Sequence, residues 1–161
     1  MIDFNLGKYF KYSELIKTNP DNLKRLQVTN NAPPYAIENL KRLVSNVLDP
    51  LREWYGKPVF ITSGYRCEEL NKMIGSQVTS QHIHGHAVDF DLDAHGPTEN
   101  AKAFHYIKDN LDFDQLIWEF GDDTNPAWVH VSYVSKDLNR KKVTRAIKVE
   151  GKTIYQKYEH K

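Results

Sequence analysis

Between Ser80 and Asp89 the chain reads Ser-Gln-His-Ile-His-Gly-His-Ala-Val-Asp, three imidazoles and a carboxylate within ten residues. Neutral imidazole and carboxylate are both good ligands for zinc, a borderline-soft cation. A metal site also needs its ligands to converge from separate stretches of backbone. His82 precedes Gly85, where the chain can turn tightly, and Asp89 lies in an apolar run that reads as a strand. On that strand Asp89 shares a face with Ala87 and Asp91, while His86, Val88 and Phe90 point the other way. The small Ala87 leaves room beside the ligand. A third ligand, His130, comes from a different strand, Trp128-Val129-His130-Val131-Ser132. Three protein ligands with the fourth position left to water is the arrangement of a catalytic zinc, which lowers the pKa of that water to about 7. A base must still take the proton. Glu119 ends the strand before His130 and points to the same face as Gln115 and Ile117, with Asp122 and Asp123 in the following loop as alternatives.

Other chemistries are poorly supported. His84 and His86 read as surface or supporting positions rather than ligands. Asp89-x-Asp91-x-Asp93 superficially resembles a calcium loop, but Ala94 stands where such a loop needs glycine. The single cysteine, Cys67, excludes an intramolecular disulfide and a cysteine-rich zinc site. No base sits near it at a recognisable spacing, so it reads as a small buried residue. A formal net charge of +1 argues against nucleic acid and anionic membranes as partners. The basic run Arg140-Lys141-Lys142 with Arg145 reads as a solvated loop. Trp54, Trp118 and Trp128 read as core.

The elements that position these groups follow from periodicity. With 161 residues, 40% hydrophobic and 27% charged, the chain is sized and balanced for one globular domain spanning 1–161. A short helix is expected over Tyr9–Ile16. A long one opens at the Pro33-Pro34 loop end, where proline suits the first turn. Ile37, Leu40, Val44, Val47, Leu48, Leu51 and Trp54 form its apolar stripe, Pro50 kinks it and Gly56 ends it. A strand at Val59–Thr62, a helix at Cys67–Ile74 and a strand at Ala87–Leu92 follow. Pro97 and Thr98 open another helix. Phe113–Phe120 and Trp128–Val134 form a hairpin across Gly121–Pro126, and Val143–Val149 with Lys152–Tyr155 form a last one around Glu150-Gly151. Helices precede strands, so the class is α+β, a mostly antiparallel sheet packed with helices. The N-terminus lacks the basic start and apolar run of a secretory signal, and no stretch is long enough to span a bilayer. A protein made in the cytoplasm is expected.

Ser63-Gly64-Tyr65-Arg66, then Leu70-Asn71, then Ser80-x-His82-x-x-Gly85-x-Ala87-x-Asp89, then Trp128-x-His130 together resemble the M15 zinc peptidases. These include D-Ala-D-Ala carboxypeptidases and dipeptidases, and phage endolysins that cut L-Ala–D-Glu bonds. The resemblance runs from about Tyr35 to Tyr133. It implies a hedgehog/DD-peptidase-like fold and zinc held by His82, Asp89 and His130. It also implies that Arg66 contacts substrate and stabilises the transition state, with Ser80 as a further substrate contact. Many members carry the acidic base three residues before the last histidine, where this chain has Ala127. The related hedgehog fold places its glutamate at the end of the preceding strand, and that role passes to Glu119. The implied substrate is the peptidoglycan stem peptide and the implied protein a monomer. Acting on the wall after release, it fits a phage or prophage lysis enzyme. The alternative is a zinc-stabilised binding or phage structural module without turnover.

Overall fold

The computed structural model describes residues 2–160. The apolar stripe read from the sequence is one continuous helical ridge. Leu40, Leu43, Val44, Val47, Leu48 and Leu51 are all fully buried, each worth about 1.5–3 kcal/mol of removal from water. Before the ridge come α1 (Tyr12–Leu15) and α2 (Pro20–Leu26). The ridge itself runs through α3 (Pro34–Leu43), a π turn (Val44–Leu48) and α4 (Asp49–Tyr55). Pro50 has no N–H to donate and its ring crowds the carbonyl four residues back. The expected distortion takes the form of that widened turn, and the helix continues through it. Gly56, at φ 74°, ends it as expected.

The remaining elements are β1 (Ile61–Ser63), α5 (Glu68–Met73), β2 (Ala87–Phe90), α6 (Glu99–Asn110), β3 (Gln115–Glu119), β4 (Trp128–Ser132), β5 (Lys142–Val149) and β6 (Lys152–Lys157). A 3-10 turn, Gln81–His84, precedes β2. The six strands form one mixed sheet in the order β1-β2-β4-β3-β5-β6. Four pairings are antiparallel and one, β3 with β5, is parallel. The α+β class and the mostly antiparallel sheet are as expected, and both hairpins form. Val88, Phe90, Leu116, Trp118, Val129 and Val131 join the core on one face of the sheet, where α6 packs on β3 and β4. Alternate residues of the same strands face the other way, onto an open cleft.

Several expectations need correction. The first helix is shorter, α2 lies in a stretch for which no element was expected, and β1 starts two residues later than expected. Trp54 is half exposed, stacked on Tyr106 with ring centroids 4.1 Å apart. Trp128 lines the cleft instead of filling the core. The basic run is a solvated loop only in part: Arg140 and Lys141 are exposed loop residues, as expected, but the run is also tied to the fold. Arg140 grips the buried Asp114 through two guanidinium nitrogens at 2.9 and 2.7 Å, Lys142 opens β5, and Arg145 pairs with Asp123. No helix among the described residues is long and apolar enough to cross a membrane.

Candidate active site

Ser80 accepts from the backbone N–H of His82 and so caps the 3-10 turn that carries this histidine. Gly85 closes the turn at φ 71°, and a Cβ there would stand 2.5 Å from the Ala36 carbonyl oxygen. The chain can then enter β2 two residues later. His82 is buried, and its Nδ1 donates to the Gly64 carbonyl at 2.8 Å. A carbonyl only accepts, so Nδ1 carries the proton and the Nε2 lone pair faces Asp89, 3.4 Å from Oδ2. In the register of the sheet Asp89 lies directly opposite His130, whose Nδ1 is 2.9 Å from Asp89 Oδ1.

Among the described residues His82, Asp89 and His130 form a group whose ligand atoms lie within 4.8 Å of one another. Zinc bonds of about 2.1 Å in a tetrahedron give ligand-to-ligand edges of about 3.4 Å, so the observed separations fit the ion with small adjustments. The donor set, two imidazoles and one carboxylate, suits zinc as well. Burial lowers the pKa of His82, which keeps the ring neutral and able to ligate. Burial alone would raise the Asp89 carboxyl. His82 and His130 outweigh it by charge and hydrogen bonding, and hold Asp89 well below the usual carboxylate range. These three residues are therefore a group able to hold a metal.

Glu119 lines the same cleft with Ile117 and Gln115, the face expected for it. Phe120 and Gly121, both in the left-handed region at φ 56° and 67°, reverse the chain immediately after it. Glu119 is 7% exposed and its carboxyl makes no hydrogen bond among the described residues. Burial pushes its carboxyl up to about 7, and nearby Asp89 adds to this while His130 opposes it. Asp122 accepts from the backbone of Thr124 and Asn125 in its own exposed turn, and Asp123 pairs with Arg145. Neither lines the cleft, which leaves Glu119 as its candidate base.

Arg66 enters from the turn after β1. Its guanidinium donates to Ser63 Oγ at 2.9 Å, Asn71 Oδ1 at 3.3 Å and Ser80 Oγ at 3.4 Å, all neutral acceptors. No carboxylate among the described residues forms a salt bridge with it, so its guanidinium is held by neutral groups alone. Burial lowers its pKa and Asp89 opposes that, but arginine stays a cation at any physiological pH. Ser80 thus both caps the His82 turn and steadies Arg66. His84 is exposed and His86 half-buried, and neither belongs to the metal group.

Ser63 and Asn71, for which no role was expected, both lie in the motifs that carry the family resemblance. A buried Asn beside a cleft arginine is the signal that could have found them. The Gly64 carbonyl that fixes the His82 tautomer leaves no trace in residue types. Thr144, Thr153 and Tyr155 of the last hairpin also line the cleft, which has a volume of about 580 Å³. Period-two alternation puts Thr153 and Tyr155 on one face, but only the strand order brings that face beside Glu119.

The sequence model of the Peptidase M15 family matches residues 8–132. Comparison with curated proteins gives no match. The matched segment covers most of the chain and includes Arg66, Ser80, the three candidate ligands and Glu119. The chain belongs to the M15 peptidase family.

Proposed function

We infer that this protein is a zinc-dependent peptidase that hydrolyses amide bonds of peptidoglycan stem peptides, as a D-Ala-D-Ala carboxypeptidase or an endopeptidase of the endolysin kind. The whole chain, residues 1–161, is read as one such domain with a hedgehog-like arrangement. The observation that carries this reading is convergence. His82, Asp89 and His130, the buried Glu119 and an Arg66 without a salt bridge come from five segments and meet on one cleft.

His82, Asp89 and His130 would hold the metal. When bound there, zinc supplies Lewis acidity, bringing hydroxide within reach near neutral pH and polarising the scissile carbonyl. Glu119 accepts a proton from the attacking water at its carboxylate and passes it to the leaving amide nitrogen. A carboxyl poised near neutrality suits both directions of transfer. Arg66 stabilises charge developing on the carbonyl oxygen. Ser63, Asn71 and Ser80 keep its fork from swinging away. The position of Glu119 inside the cleft favours turnover over a zinc-stabilised module without activity.

The test is a zymogram on purified cell walls with zinc present, with Glu119→Gln run alongside. Clearing by the wild type and none by the variant is the expected pair. A gel that stays dark for the zinc-loaded wild type would overturn the reading, and mass spectrometry of the products names the bond.

A further inference from the structure

We propose that Tyr155 contacts the substrate of this peptidase, donating a hydrogen bond from its phenol to a carbonyl or carboxylate oxygen of the bound peptide beside Glu119. The proposal rests on the peptidase reading above. Its basis is the register of the sheet. Trp128, Glu119, Ala146 and Tyr155 are successive partners across β4, β3, β5 and β6 and so form one lateral row on the cleft face. Neighbouring strands are about 4.8 Å apart, which puts the Cα atoms of Glu119 and Tyr155 about 10 Å apart, within the combined reach of a carboxylate arm and a phenol. Ala146, small and fully buried, stands between them in the row. The row thus carries aromatic rings at both ends with the candidate base between them, and Trp128, Glu119 and Tyr155 all line the cleft.

Tyr155 has no other evident task. It is 59% exposed, so it is not a core residue, and its hydroxyl has no hydrogen-bond partner among the described residues. All six residues of β6 are exposed, so the strand buries no apolar face that would require an aromatic ring here. Burial raises the phenol's pKa, and the charges of Glu119 and Asp89 raise it further, so the hydroxyl keeps its proton at neutral pH and can donate. The family match ends at residue 132. The hairpin bearing Tyr155 therefore lies outside the matched segment, where selectivity among peptides can be set without altering the shared machinery.

The experiment compares the zinc-loaded full chain with Tyr155→Phe and Tyr155→Ala on stem-peptide fragments, following products by mass spectrometry. Zinc content and Tm are measured in parallel. Tyr155→Phe is expected to raise KM about 5- to 10-fold, the worth of one neutral hydrogen bond, with kcat changed less than about 2-fold. Tyr155→Ala raises KM further, and zinc content and Tm stay at wild-type values in both. If wild type turns over peptide and Tyr155→Phe matches it, the contact is overturned and the peptidase reading survives. A loss that tracks falling zinc content or Tm makes Tyr155 structural, which also overturns it. A zinc-loaded wild type that cuts no fragment overturns the peptidase reading and the contact together.

Discussion

A carboxylate buried beside two imidazoles is costly to keep charged unless a neighbour shares the charge. Asp89 and Glu119 line the same cleft under opposite conditions. Asp89 lies against both histidines and stays ionised, whereas the Glu119 carboxyl has no hydrogen-bond partner among the described residues and is pushed up to about 7. Two carboxyls driven apart in this way are suited to different work, in the proposed peptidase one as metal ligand and one as proton carrier. Glu119→Gln is expected to lower kcat about 10²- to 10⁴-fold while zinc content stays at the wild-type level. The same shift fixes a pH dependence for the metal-free protein. Below the unfolded pKa of about 4.3 both states hold the proton and Glu119 adds nothing. Between there and about 7 the unfolded chain releases it and the folded chain does not, so stability falls as pH rises. Urea unfolding of metal-free wild type and Glu119→Gln should therefore diverge from pH 4 to pH 8. The pH-dependent gap favours the variant by on the order of 3 kcal/mol. Arg66→Lys keeps the charge but loses the planar fork, and kcat/KM should fall about 10²-fold, read from initial rates. That Asp89, His130 and Glu119 turn to one face was legible from the sequence because strand alternation fixes which side chains share a face, whereas His82 reaches them from a 3-10 turn. The neutral cradle of Arg66 was not, since hydrogen-bond partners depend on how turns fold back.

The candidate ligand His82 is held by backbone whose path depends on small residues. A Cβ at Gly64 would fall 2.1 Å from the Leu15 carbonyl oxygen, where two backbones pass in contact. Gly64 also offers the carbonyl that orients His82. Gly64→Ala should therefore destabilise the fold by about 1–3 kcal/mol and weaken metal binding together, measured by denaturation and zinc titration. Element types were readable where periodicity was strong, as in the ridge from Leu40 to Leu51 and in the strands at 87–90, 115–119 and 128–132. They were not where tertiary contact decides. Helix α2 has no buried residue and so shows no apolar stripe, and the π turn is a response to Pro50 that composition does not encode.

Across the whole molecule the sheet divides the work between its faces, apolar side chains against helices on one and polar chemistry on the other. The order β1-β2-β4-β3-β5-β6 sets the two candidate ligand strands side by side and adds the last hairpin as a wall. Nothing local encodes this order. The parallel pairing of β3 with β5 joins segments more than twenty residues apart, so the hairpin's place in the cleft was beyond reading from sequence. A metal bound only by the folded chain stabilises it by about 2.7 kcal/mol at a hundredfold excess over Kd. Zinc should raise Tm by several degrees, and a chelator should reverse the gain. The most direct test of the central claim is the zinc content of the purified full chain beside Asp89→Ala and His130→Ala variants, with folding checked by circular dichroism. About one zinc per wild-type chain is expected, with at least a tenfold loss in each folded variant. A wild type without zinc after loading, or a folded variant that keeps its full complement, would contradict it.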